Sequence, residues 1–99
     1  MIISQFDEKA NTATLVIKGR FDYACQQAFR DGFSRHPKGT DFIVDLKDVS
    51  YIDSSALGML LLLRDHAGGD GATIELKGAS DFVGSALKMA RFERLFSFA

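Results

Sequence analysis

The sequence predicts an α/β domain: a four-stranded mixed sheet with three helices packed on one face, in the order β-β-α-β-α-β-α. Three observations carry this. Ala72–Lys77 alternates apolar and polar residues, and in Thr12–Lys18 Ala13, Leu15 and Ile17 alternate with Thr12, Thr14, Val16 and Lys18, the period of two of strands with one buried face. Helical spacing separates the strand segments, as in Cys25, Phe29 and Phe33, which repeat every four residues. Helix-linked strands run parallel by right-handed crossovers, whereas a tight turn pairs its strands as an antiparallel hairpin.

Element by element, Ile2–Asp7 reads as a strand and Lys9-Ala10-Asn11 as the turn after it. In Thr12–Lys18, Ala13, Leu15 and Ile17 form the inward face, and Gly19 ends the strand. Asp22 suits the N-cap of a helix from about Tyr23 to Arg35, because its carboxylate accepts from a free first-turn amide. Cys25, Phe29 and Phe33, with Ala28 and Gly32 beside them, form that helix's core stripe, and His36-Pro37 and Gly39 stop it.

Thr40–Leu46 is the third strand, with Phe42, Val44 and Leu46 on one face and Ile43 and Asp45 on the other. A polar turn leads to a second helix, which starts at Ser54 or Ser55 and ends near Gly68-Gly69. Ala72–Lys77 is the fourth strand, its Thr73, Glu75 and Lys77 face solvated. Ser80 caps a third helix through Arg91, and Phe92–Phe98 adds a short turn that packs its phenylalanines inward.

Residues 1–99 read as one domain, without a linker, repeat or low-complexity segment. A hydrophobic content of 46% supports a core, and a single cysteine makes no intrachain disulfide. That lone thiol and an N-terminus without a basic, export-type segment fit the cytoplasm. Twelve basic and 13 acidic residues, interleaved to a net charge of −1, form no basic stripe for nucleic acid. The apolar run Ala56–Leu63 falls well short of the ~20 residues of a membrane span, so direct membrane insertion is not expected.

Function concentrates in VDLKDVSYIDSSALGMLLLLRD, Val44–Asp65. Ser54 is well placed to be the N-cap of the second helix, and local spacing alone favours its having that role only, without excluding another. The helix, however, is apolar most of the way round. Ala56, Met59, Leu60 and Leu63 make a core stripe, whereas Leu57, Leu61 and Leu62 point elsewhere. Such a helix is either buried on several sides or presents a surface to a partner. Gly58 permits close approach of another backbone.

Other chemistry is poorly supported. Ser54, His66 and Asp53 are the triad residue types, but no Gly-x-Ser-x-Gly is present and His66 lies about three helical turns from Ser54. His36 and His66 read as helix-end residues and Cys25 as a core thiol, too scattered for a metal site. Gly68-Gly69-Asp70-Gly71 lacks the lysine of a phosphate-binding loop. Phe82, Phe92, Phe96 and Phe98 read as core. No enzyme activity, metal or cofactor is predicted.

Tyr51-Ile52-Asp53-Ser54-Ser55-Ala56-Leu57-Gly58 is similar to the signature of STAS domains, the module shared by sulphate transporters and anti-sigma factor antagonists. Lys18-Gly19-Arg20-Phe21-Asp22 resembles that family's Gly-x-apolar-Asp turn after the second strand. Element order agrees along essentially the whole chain. The sequence departs from the pattern at Ala56, where the family usually has glycine.

The resemblance implies that Ser54 is a phosphorylation site, that Asp22 and Asp53 lie beside it, and that Ser55 is a structural hydroxyl. It also implies a partner-switching regulator. The unphosphorylated form binds an anti-sigma factor that is also a serine-protein kinase, across a surface including Leu57, Gly58 and Leu61. Phosphorylation releases it, and a metal-dependent serine phosphatase restores binding. Two other roles fit less fully: a constitutive adaptor subunit of a membrane transporter, which needs no phosphoswitch, and a small-ligand module.

Overall fold

A computed structural model describes all residues, 1–99. The chain forms β1 (Ile2–Asp7), β2 (Thr12–Phe21), α1 (Gln26–Ser34), β3 (Asp41–Ile52), α2 (Ser54–Ala67), β4 (Ile74–Lys77), α3 (Asp81–Met89) and β5 (Ser97–Phe98). Short 3-10 turns at Tyr23–Cys25, Gly69–Gly71 and Phe92–Arg94 join them. The sheet runs β1-β2-β3-β4-β5 in sequence order. β1 and β2 form the expected antiparallel hairpin, and each helix-linked pair is parallel.

The mixed sheet and its three helices are as predicted, but the sheet has five strands rather than four. The fifth is only Ser97–Phe98, paired with Glu75 and Leu76, too short to show a period. Phe92 and Phe96 are buried and Phe98 is partly so.

One face of the sheet makes the core. Ala13, Leu15 and Ile17 of β2, Phe42, Val44 and Leu46 of β3, and Ile74 and Leu76 of β4 are buried. Phe29 and Phe33 of α1, Ala56, Met59, Leu60 and Leu63 of α2, and Val83 and Leu87 of α3 join them in a single cluster. The residues between them on the strands, Thr14, Val16, Ile43, Asp45 and Glu75, are only half-buried.

Several boundaries move for identifiable reasons. β2 continues past Gly19 to Phe21, and β3 runs on through the expected polar turn to Ile52. Both carry irregularities: Val16 to Lys18 on β2 spans Asp45 to Asp48 on β3, and Gly19 to Arg20 spans Val49 to Tyr51. Such bulges bend a strand and interrupt its alternation. Gly19 accepts the bend with φ +85°.

The first helix begins as the 3-10 turn Tyr23–Cys25 and becomes α-helical only at Gln26; Ala28 faces solvent. Ala72 and Thr73 precede β4 instead of belonging to it. α3 stops at Met89, and Arg91 turns left-handed at φ +62°. Phe82, expected in the core, is 61% exposed on α3; the buried residues of that helix are Val83 and Leu87.

Candidate functional site

β2 and β3 lie side by side and end together: Phe21 pairs with Ile52. The next residue on each strand is an aspartate in nearly the same extended conformation. Asp22 has φ −138° and ψ −169°, and Asp53 has φ −126° and ψ −177°. Each caps the turn that follows it. Asp22 Oδ1 accepts the amide of Ala24 at 3.2 Å, and Asp53 Oδ1 accepts that of Ala56 at 3.0 Å. The sheet thus sets two carboxylates on adjacent strands, whose ordinary spacing is ~4.8 Å, at the start of α2.

This corrects one expectation. The N-cap of α2 is Asp53, not Ser54. Serine and aspartate cap about equally well, so position decides: β3 stays extended through Asp53, and helical geometry begins at Ser54. Ser54 is therefore the first residue of α2, exposed, with no capping bond to make. Ser55 follows, half-buried.

Residues three and seven apart share a helix face. Ser54 heads the row containing Leu57 and Leu61, and Ser55 the neighbouring row of Gly58 and Leu62. Leu57 is half-buried against the core, whereas Leu61 and Leu62 are 44% and 45% exposed. Ser55, Gly58, Met59 and Leu62 line one side of a surface groove of about 230 Å³, and Tyr23 and Gln26 the other. Nothing lies within 4 Å of where a side chain on Gly58 would begin.

Of the residues singled out in the sequence, Asp22 and Asp53 follow the paired ends of β2 and β3, Ser54 and Ser55 open α2, and Gly58 and Leu61 lie farther along the same helix. Tyr23, 70% exposed beside the groove, was missed, because it reads as the first residue of a buried helix. Arg20 was missed as well. Its Nε donates to Asp22 Oδ2 at 3.2 Å, and its guanidinium lies 4.0 Å from the centre of the Tyr51 ring. Cys25 is half-buried, and its thiol donates to the Arg20 carbonyl at 3.1 Å.

The two histidines meet near the other end of α2. His66 Nε2 lies 2.6 Å from the His36 carbonyl oxygen, to which it donates. The buried His36 ring stacks on Phe6, sits edge-on to Phe42, and places Nε2 3.3 Å from Ser4 Oγ. Burial first, then the positive charge of Arg35 and the neighbouring His66, hold the His36 pKa below its ordinary 6.5. No helix is long and apolar enough to cross a membrane.

A STAS-domain containing protein of Pseudomonas aeruginosa (strain UCBPP-PA14) is 50% identical over 86 residues, 84% of this chain and 83% of that protein. A Thermotoga maritima structure described as a candidate anti-sigma factor antagonist superposes with TM-score 0.83 at 18% identity, over 99% of this chain and 85% of that one. The unphosphorylated anti-sigma factor antagonist SpoIIAA gives 0.75 at 15%, over 100% and 87%. A sulfate transporter family protein from Wolinella succinogenes gives 0.72 at 20%, over 95% and 80%. At these identities the structural likenesses establish the fold. The family model described as "Mlab, STAS domain" matches residues 4–97, and the chain belongs to the STAS domain family.

Proposed function

We propose that this protein is a partner-switching regulator of the anti-sigma factor antagonist kind, a binding protein and not an enzyme, controlled by phosphorylation of Ser54. The observation that carries this reading is the position of Ser54. It is exposed at the head of an incompletely buried apolar helix, while Asp53 relieves it of the capping role. A hydroxyl with no structural task, beside a surface fit for a partner, is open to modification.

In the unphosphorylated state a partner docks over Tyr23, Gly58, Leu61 and Leu62 and the exposed remainder of Leu57. That partner is an anti-sigma factor which is also a serine-protein kinase, and a metal-dependent serine phosphatase reverses its action. Phosphoserine adds about −1.5 to −2 charge and strong acceptor oxygens. A helix N-terminus accommodates that charge through its free amides and dipole, so the fold survives. A partner closing over the site has to desolvate the phosphate opposite the Asp22 and Asp53 carboxylates. A hundredfold loss of affinity requires only about 2.8 kcal/mol.

A second reading, a constitutive adaptor of a membrane transporter, draws on the likeness to the sulfate transporter family protein and on Ala56, buried where the family usually has glycine. Capture of partners from native cytosolic and membrane extracts with wild type, Ser54→Ala and Ser54→Asp separates the two. A kinase-type partner retained by the first two and lost by Ser54→Asp supports the switch. One membrane-derived partner held equally by all three proteins supports the adaptor.

A further inference from the structure

Arg20 has no assigned task. Of its guanidinium nitrogens, Nε alone is engaged, with Asp22, and the side chain is 62% exposed. A surface ion pair of this kind contributes little stability and exchanges readily. A cation–π contact with the Tyr51 ring, 4.0 Å from its centre, helps hold the guanidinium in place and leaves its two terminal nitrogens as a free fork. That fork matches the oxygens of a phosphate, two hydrogen bonds at once.

The register places Arg20 and Ser54 at the same end of the sheet. Arg20 pairs with Tyr51 and Phe21 with Ile52, so Asp22, just past the end of β2, lies beside Asp53, just past the end of β3, and Ser54 follows as the first residue of α2. The Asp22 bond shows that the Arg20 head is drawn to this end of the sheet. A phosphate at Ser54 meets two carboxylates here, and Arg20 is the cation already bound to one of them.

We propose that Arg20 pairs with the phosphate of phosphorylated Ser54, exchanging its bond to Asp22 for a forked pair and holding the modified side chain against the protein's own surface. This rests on the reading of Ser54 as the phosphorylated residue. Arg20 is a positioning residue: it favours the dianionic phosphate and fixes where the new charge stands.

The test starts from protein carrying phosphoserine at position 54 by genetic incorporation, so no kinase is involved. The phosphate is titrated by phosphorus NMR in wild type, Arg20→Met and Arg20→Lys. Phosphoserine ordinarily titrates near pH 6, and a paired cation lowers such a value. The expected result is a phosphate pKa in Arg20→Met about half a unit or more above wild type, with Arg20→Lys between them. Arg20→Lys keeps the charge and most of the stem, so it remains informative if Arg20→Met misfolds. Coincident titrations of wild type and every variant that folds overturn the proposal. Failure here leaves the partner switch standing, whereas equal partner binding by Ser54→Ala and Ser54→Asp removes the switch and leaves this result intact.

Discussion

Asp53 Oδ1 accepts the Ala56 amide at 3.0 Å, and this single bond gives the capping task at the start of α2 to Asp53 and leaves Ser54 without it. Loss of a good N-cap typically costs ~1 kcal/mol. Asp53→Ala is therefore expected to lower stability by about that amount, while Ser54→Ala changes it by only a few tenths. Urea unfolding of the two variants beside wild type reads the difference. Equal losses would show Ser54 contributing as much to the start of the helix as Asp53 and contradict the division of roles.

Gly58 offers a variant in which stability and binding move in opposite directions. It lies inside α2 with open space where a Cβ would stand. Alanine in a helix interior is favoured over glycine by ~1 kcal/mol, so Gly58→Ala should melt higher. The added methyl enters the groove between Tyr23 and Leu62 and should weaken partner binding severalfold. A melting curve and a titration with the captured partner check both; undiminished binding places the interface elsewhere.

The His36 cluster sets an acid limit. Because the folded protein holds the His36 pKa below 6.5, the unfolded chain binds the proton more readily. The contribution of neutral His36 is complete above pH 6.5 and is lost as pH falls from there through the lowered folded value. His36→Phe keeps a ring between Phe6 and Phe42 and does not titrate. Melting temperatures at pH 7.5 and 5.5 should fall further in wild type than in His36→Phe. A larger fall in the variant contradicts the assignment.

These expectations also show how far sequence carries. The inward rows of β2 and β3, Ala13-Leu15-Ile17 and Phe42-Val44-Leu46, were legible because the pairing there is regular and one face is buried. Beyond Asp45 the bulges break the alternation, so the strand that aims Asp53 read as a polar turn. β5 spans only Ser97–Phe98 and is defined by its pairing with β4. At the site, Asp-Ser-Ser was visible as a cap and a hydroxyl. Which residue took which task depended on β3 remaining extended through Asp53, a tertiary fact. Tyr23 and Arg20 were hidden for the same reason: the neighbouring strand and helix define their roles.

The central claim is that phosphate at Ser54 abolishes partner binding without unfolding the domain. Its most direct measurement compares unmodified and phosphoserine-54 protein, recording for each the melting temperature and the affinity for the captured kinase-type partner. We predict melting temperatures within about 3 °C of each other, less than the shift that ~1 kcal/mol produces in a domain of this size, and an affinity at least a hundredfold weaker for the phosphorylated form. Equal affinities, or a loss of binding that follows a collapse in melting temperature, would contradict it.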